Sequence, residues 1–120
     1  DLHGDELIVD AQIDIGRDLR SVTHLNELAD KLGVSARTLA RRFSAATGVS
    51  MTEYRQQRRL DEAQALLRRT NLSIMEIGHA VGLSDASHFA RMFREQTGLT
   101  PSGYRIAVRE KAFAPHPASD

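Results

Sequence analysis

The stretch from Leu25 to Phe43 places a tight glycine turn between two short runs of helical periodicity. The first run carries one apolar stripe at helical spacing, made of Leu25, Leu28, Ala29 and Leu32. Gly33 follows the stripe, where a left-handed helix end suits glycine, and Ser35 can cap the next helix. Helices joined by so short a turn cross at a large angle, which is helix-turn-helix geometry. One copy alone would fit an ordinary helical hairpin equally well.

The same design recurs about fifty residues later, from Ile74 to Phe93. In the second copy the turn glycine is Gly82, and one extra residue lies near Asp85. Each copy ends in the pattern Gly-x-(Ser/Thr)-x-x-x-Tyr-Arg, which closes on Tyr54 and Tyr104. Each tyrosine is expected to pack against the other helices of its own half. The chain therefore contains two matched helix-turn-helix units.

No segment alternates like a β-strand, so the sequence predicts an all-α fold of about seven helices. Two tandem helix-turn-helix subdomains are joined by a long linker helix in this prediction. The predicted segments are a leader over 1–21 with a first helix over 6–20, a DNA-binding body over 22–108, and a disordered tail over 109–120. Within the body we predict a first helix-turn-helix over about 24–47, a linker helix over about 51–69, a second helix-turn-helix over about 74–97, and a last helix ending near Val108. Thr23 is predicted to cap the second helix, and the acidic leader is interpreted as a linker to a further domain.

The formal net charge is zero, but the charges are unevenly distributed. Residues 1–30 hold eight acids and two bases, whereas residues 31–111 hold fourteen bases and seven acids. Fourteen of the sixteen bases are arginine, whose planar fork suits phosphate and guanine. An acidic leader on a basic body is the asymmetry expected of a DNA-binding domain.

Other classes of function find little support in the sequence. There is no cysteine, and no apolar run approaches the ~18 residues of a membrane span. Ser84, Asp85, Ser87 and His88 are consecutive or nearly so but lack a nucleophile elbow, and the histidines lack paired ligand spacing. We therefore expect no enzyme, no metal, no cofactor and no membrane contact, and a cytoplasmic, nucleoid-associated protein. The alternative left open is a helical module that binds acidic protein through its arginine-rich face.

From about Val22 to Arg105 the chain resembles the DNA-binding domain of the AraC/XylS family of bacterial transcription regulators. The resemblance lies in the strings LADKLGVSARTLARRF and SIMEIGHAVGLSDASHFARMFREQTGLTPSGYR. It implies that the partner is double-stranded operator DNA, that RNA polymerase is a second partner, and that a sensor domain precedes this one. The residue at position 1, which is not methionine, agrees with that expectation. Gly78 departs from the usual Ala and is expected to loosen its helix by ~1 kcal/mol. Leu83 stands where Phe is frequent.

The recognition helices are expected to present the faces opposite their buried residues to DNA. The predicted base contacts are Arg37, Thr38, Arg41, Ala86, Ser87, His88 and Arg91. The predicted phosphate contacts are Ser35, Arg42, Arg55, Arg58, Arg59 and Arg94. A 19-residue linker helix would span ~28 Å, close to the ~34 Å between successive major-groove faces. The operator, the effector, the choice of activation or repression and the oligomeric state are not specified by the sequence.

Overall fold

The computed structural model describes residues 2–20 and 25–113, with side chains over 6–20 and 25–111. Seven α-helices and no strand lie in these ranges, which confirms the all-α prediction. The helices are α1 (Leu2–Arg17), α2 (Leu25–Leu32), α3 (Ala36–Thr47), α4 (Met51–Arg69), α5 (Ile74–Val81), α6 (Ala86–Thr97) and α7 (Pro101–Phe113). In the described part of the chain, none of them is long and apolar enough to cross a membrane.

The first helix differs from its prediction at both ends. It begins at Leu2 rather than at residue 6, and Leu7 and Ile8, which lie in its first turns, are buried. It ends at Arg17 rather than at residue 20. The Asp18 carboxylate accepts a hydrogen bond from the backbone N–H of Arg20 at 3.1 Å, and such a local bond competes with helix continuation.

The last helix extends to Phe113, so the prediction of a disordered tail is wrong for residues 109–113. Arg109 anchors this end: its Nη2 donates to the Thr70 carbonyl at 2.8 Å and to Asn71 Oδ1 at 3.0 Å. Residues 114–120 lie outside the described residues, as does the predicted cap at Thr23.

The predicted helix boundaries inside the two repeats are confirmed by their capping bonds. Ser35 Oγ accepts from the Thr38 amide, and the Ser50–Glu53 and Ser73–Glu76 pairs form reciprocal capping boxes. Three residues separate α2 from α3 and four separate α5 from α6, which places the extra residue of the second turn as predicted. Asp85 caps α6.

The chain divides into two compact units, residues 1–59 and 60–120, each with its own core. The core of unit 1 consists of Leu7, Ile8, Ala11, Ile15, Leu28, Ala29, Leu39, Phe43 and Met51. The core of unit 2 consists of Leu60, Ala63, Leu67, Ile77, Val81, Leu83, Phe89 and Phe93. The early part of α4 belongs to unit 1 and the later part to unit 2, so the helix serves two cores rather than presenting one apolar side.

Helix α1 is part of the first core rather than a leader outside it. It supplies four of the nine buried residues of that core and contacts both α2 and α3. Its buried Ile8, Ala11 and Ile15 have the spacing of Leu60, Ala63 and Leu67 in α4, 52 residues later. The internal repeat is therefore longer than the sequence strings suggest. Each unit is built from an opening helix, a helix-turn-helix and a closing helix.

The closing tyrosines pack against the recognition helices in the same way. The Phe43 and Tyr54 ring centroids are 5.3 Å apart at 74°, and those of Phe93 and Tyr104 are 5.3 Å apart at 76°. Edge-to-face pairs of this kind contribute about 0.5–1.5 kcal/mol beyond their buried area. The prediction that each tyrosine packs its own half is confirmed.

An arginine donates to each closing tyrosine, but from a different helix position in the two units. Arg58 Nη1 donates to the Tyr54 hydroxyl at 3.2 Å, whereas Arg68 Nη1 donates to the Tyr104 hydroxyl at 2.9 Å. By the same 52-residue spacing, the counterpart of Arg68 is Gly16. A Cβ at Gly16 would lie 2.8 Å from Arg58 Nη2, so glycine leaves the space that the Arg58 guanidinium fills.

Arg59, a predicted phosphate contact, is mostly buried in the structure. Its residue surface is only 7% exposed, and its Nε donates to the Leu19 carbonyl at 2.8 Å. Burial, and then the neighbouring Arg55, lower the pKa of the Arg59 guanidinium from its usual value. The side chain therefore ties α4 to the end of α1. Sequence spacing did not reveal this because the two partners are 40 residues apart.

We expect Gly78→Ala to lower the free energy of unfolding by about 1–3 kcal/mol. A Cβ at Gly78 would lie 2.6 Å from the Leu83 carbonyl oxygen and 3.3 Å from Phe89 Cδ2. This clash reverses the gain of ~1 kcal/mol that helix propensity alone gives to alanine. Ala80→Gly, on the exposed side of the same helix, is the matched control and should cost ~1 kcal/mol by propensity. Urea denaturation measures both, and a Gly78→Ala protein more stable than the parent would contradict the argument.

We expect Arg59→Met to lower the free energy of unfolding by about 1–3 kcal/mol, because it leaves the Leu19 carbonyl without its donor. Methionine keeps most of the aliphatic packing, so the loss reports mainly the hydrogen bond. Arg69→Met, at an exposed position of the same helix, should change stability by less than ~0.5 kcal/mol. Equal losses in the two variants would show that Arg59 has no such role.

Candidate nucleic-acid interface

The exposed face of α3 is set by the residues that it buries. Leu39 and Phe43 are completely buried in the core of unit 1. Arg37 and Arg41, one helical turn apart, lie on the other side and are exposed. Helix α3 carries three arginines and no acid. The structure thus places two of the predicted base-contacting arginines together on one open helical face.

The start of α3 is ordered by a pair of hydroxyls. Ser35 Oγ accepts from the Thr38 amide at 3.1 Å and donates to Thr38 Oγ1 at 2.9 Å. The Ser35 hydroxyl is therefore engaged inside the chain by two contacts with Thr38. Thr38 is half-buried.

Helix α6 repeats this arrangement with different chemistry. Phe89 and Phe93 are buried, while Ala86, Ser87 and Arg91 are exposed and His88 is half-buried. The cap is the Asp85 carboxylate, which accepts from the His88 amide at 3.0 Å. A negative charge thus stands at the start of α6, where the neutral Ser35 caps α3. The structure brings the predicted base contacts of α6 together, but in a less basic setting.

Glu95 is a further residue of the α6 face that the sequence prediction omitted. It is exposed and follows Arg91 by four positions, so the two share one side of the helix. The corresponding residue of α3 is the exposed Ala45. The four-residue spacing was the signal that would have identified it. Glu95 lowers the positive charge of the α6 face and adds a hydrogen-bond acceptor to it.

The predicted phosphate contacts fall into different environments. Arg94 is exposed and lines a cleft of about 480 Å³ with Arg91, Glu95 and Thr100, at the start of α7. Arg42 and Arg55 are half-buried. Arg58 is also half-buried, and its guanidinium carbon lies 6.0 Å from the Tyr54 ring centroid, against α1. Of the five arginines in this group, only Arg94 is exposed.

Among the described residues there is no group of three or more histidine, aspartate and glutamate side chains placed to hold a metal ion. The exposed arginines of α3 and α6 are the side chains on which the candidate site is based. Their forked donors suit phosphate oxygens and the O6 and N7 atoms of guanine.

Comparison with known proteins agrees with this geometry. A family model described as a helix-turn-helix domain matches residues 28–107. The HTH-type transcriptional regulator RipA of Corynebacterium glutamicum is 40% identical over 95 residues, which are 79% of this chain and 28% of that protein.

Two solved structures share the fold. An AraC-type transcriptional regulator from Chromobacterium violaceum has a TM-score of 0.83 at 27% identity, covering 96% of this chain and all of that one. The DNA-binding domain of AdpA, in complex with a target DNA, has a TM-score of 0.75 at 28% identity, covering 90% and 94%.

The chain spans about a third or less of the length of the curated relatives it matches. The match nevertheless covers both helix-turn-helix units, from the buried Leu28 in α2 to Ala107 in α7. The chain therefore belongs to the AraC-type helix-turn-helix family.

Proposed function

We propose that this chain binds double-stranded DNA sequence-specifically and thereby regulates transcription. The observation that carries the proposal is the open face of α3, where Arg37, Thr38 and Arg41 stand opposite a fully buried side. The N-terminal part of a recognition helix is the part that enters the major groove. The AdpA domain, whose solved complex contains target DNA, supports this use of the fold.

Base readout by unit 1 rests on two kinds of donor. Arg37 and Arg41 each present a fork to guanine O6 and N7, a contact that discriminates between bases by about 1–3 kcal/mol. Thr38 adds a hydroxyl, which is paired with the Ser35 hydroxyl and can also contact a base edge. Unit 1 is therefore proposed to prefer acceptor-rich, guanine-containing steps.

Unit 2 is proposed to read a different and less charged pattern. Arg91 offers a guanine fork, Ser87 and His88 offer smaller polar contacts, and Ala86 suits a thymine methyl group. Glu95 can accept from cytosine N4, but it also repels phosphate. Less of the affinity should come from direct readout here, and more from backbone contacts and DNA deformation.

Phosphate contacts position the chain without specifying sequence. We propose Arg94 as the principal one, because its side chain is exposed beside the start of α7. Arg42 and Arg55, which are half-buried, and the backbone around Ser35 are proposed as secondary contacts. The two recognition helices are proposed to occupy successive major grooves, as the ~28 Å expected for a 19-residue linker helix suggested.

The curated relatives are about three times as long as the part that this chain matches. On that basis we propose that this domain works with a sensor domain and contacts RNA polymerase. A cytoplasmic, nucleoid-associated location and the absence of enzymatic activity are proposed on the same basis, since the family and its relatives are transcription regulators.

We expect Arg41→Ala and Arg94→Ala to alter binding in different ways. Loss of Arg41 should relax preference at one base pair, by about 1–3 kcal/mol, whereas loss of Arg94 should weaken all sequences alike. Selection from a random duplex pool at fixed salt measures both effects. The parent protein should also select two half-sites roughly 10–10.5 base pairs apart. Unchanged preference at every position in Arg41→Ala would exclude Arg41 from base readout.

We expect duplex affinity to fall steeply with salt, because neutralising each phosphate releases condensed counterions. A titration of one duplex at several salt concentrations gives the slope, and Arg94→Ala should reduce it by about 1. An acidic protein whose net negative charge is similar to that of the duplex is the matched competitor. It tests whether the arginine-rich face binds acidic protein as well as it binds DNA. Absence of duplex binding at low salt, or equal binding of the acidic protein, would overturn the proposed function.

A further inference from the structure

Helix α1 is apolar on two opposite faces, and only one of them is covered within the chain. Leu7, Ile8, Ala11 and Ile15 lie in the core of unit 1. On the other side Val9 is 48% exposed and Ile13 is 54% exposed. A surface helix ordinarily carries charged and polar residues opposite its buried stripe. Two exposed aliphatic side chains therefore lie next to each other on the face of α1 that the core does not cover.

The charge on this exposed face changes from negative to positive along the helix. Glu6, Val9, Ile13 and Arg17 follow one another by three or four residues, so at about 100° per residue they share one side of the helix. An acid stands at the start of the stripe, two apolar residues in the middle and a base at the end. Neither Glu6 nor Arg17 forms an ion pair with another residue that the structure describes.

We propose that this stripe binds the same stripe of a second copy of the chain, with the two α1 helices antiparallel. A two-fold axis between Val9 and Ile13 would place Val9 of one copy against Ile13 of the other. The same axis would place each Glu6 beside Arg17 of the second copy. An interface of this kind is self-complementary, as two-fold symmetry requires.

The cleft beside the stripe supports this orientation. It has a volume of about 500 Å³ and is lined by Val9, Ile13, Gly16, Arg17 and Arg58, among others. Arg58 adds a second positive charge at the basic end, while Asp10 is exposed toward the acidic end. A parallel pair would place acid against acid and base against base, so charge selects the antiparallel arrangement.

The contact is small, and this sets its strength. Two exposed aliphatic side chains per copy are far less than the ~800 Å² per partner of a standard stable interface. The association is therefore weak and depends on protein concentration. It becomes effective when two copies are held close together, as by two neighbouring binding sites on one molecule.

Sedimentation equilibrium of the chain without DNA, from about 10 μM to about 1 mM, tests the proposal in the range expected for so small an interface. The parent chain should dimerise, and Val9→Asp and Ile13→Asp should each abolish the dimer. Ile106→Asp is the matched control, since Ile106 is 57% exposed on α7 and lies outside the stripe. Both substituted positions are exposed, and circular dichroism verifies that each variant remains helical.

Charge exchange tests the pairing of Glu6 with Arg17 of the second copy. Glu6→Arg should weaken the dimer, and Glu6→Arg combined with Arg17→Glu should restore it. A chain that stays monomeric throughout, a dimer unaffected by Val9→Asp, or a double variant no better than the single one would overturn the proposal. These outcomes involve no DNA, so they leave the proposed DNA-binding function untouched.

Disulfide trapping tests the orientation, because the chain contains no cysteine of its own. Val9→Cys and Ile13→Cys proteins should cross-link to each other faster than either cross-links to itself. A parallel pair would give the reverse result. Equal rates in all three mixtures would indicate random collision and would also overturn the proposal.

Discussion

One backbone hydrogen bond in each turn fixes how the recognition helix is presented. After α2 the Val34 N–H donates to the Ala29 carbonyl at 3.0 Å, and after α5 the Leu83 N–H donates to the Gly78 carbonyl at 2.7 Å. Both bonds require the intervening glycine to be left-handed, and Gly33 and Gly82 have φ of 75° and 86°. The chain direction thus changes at a defined point. The next helix can then bury Leu39 and Phe43, or Phe89 and Phe93, and expose its other side.

In both units an arginine donates to the closing tyrosine, but the arginine comes from a different position in each. In unit 1 Gly16 makes room for Arg58, which reaches Tyr54, whereas in unit 2 Arg68 itself reaches Tyr104. What is common to both is the arginine–tyrosine contact and the edge-to-face ring pair beneath it. The repeated architecture is therefore maintained by contacts and not by residue identity at each position. This explains why the repeat is visible in the sequence at the turns but not between α1 and the end of α4.

Local signals in the sequence predicted most of the fold. Glycine turns, capping serines and helical periodicity depend on residues within about four positions of each other, and those boundaries are confirmed. The errors fall where distant contacts decide. Arg59 looked like a solvent-facing arginine of α4, yet it binds the Leu19 carbonyl, and α7 continues past Val108 where Arg109 holds Thr70. Even Gly78, which propensity marks as a defect, fits the close approach of the Leu83 carbonyl.

The two units share a backbone arrangement but expose different residues. Under the proposed function, this difference predicts an asymmetric DNA sequence. The outward positions of α3 hold Arg37, Thr38 and Arg41, and the matching positions of α6 hold Ser87, His88 and Arg91. Equal backbone geometry would present these two sets in the same way, but their donors and charges differ. One chain should therefore favour two unlike half-sites in a fixed order, and the bound sequence should have a direction. A palindromic operator would then require two chains, one for each half of the palindrome.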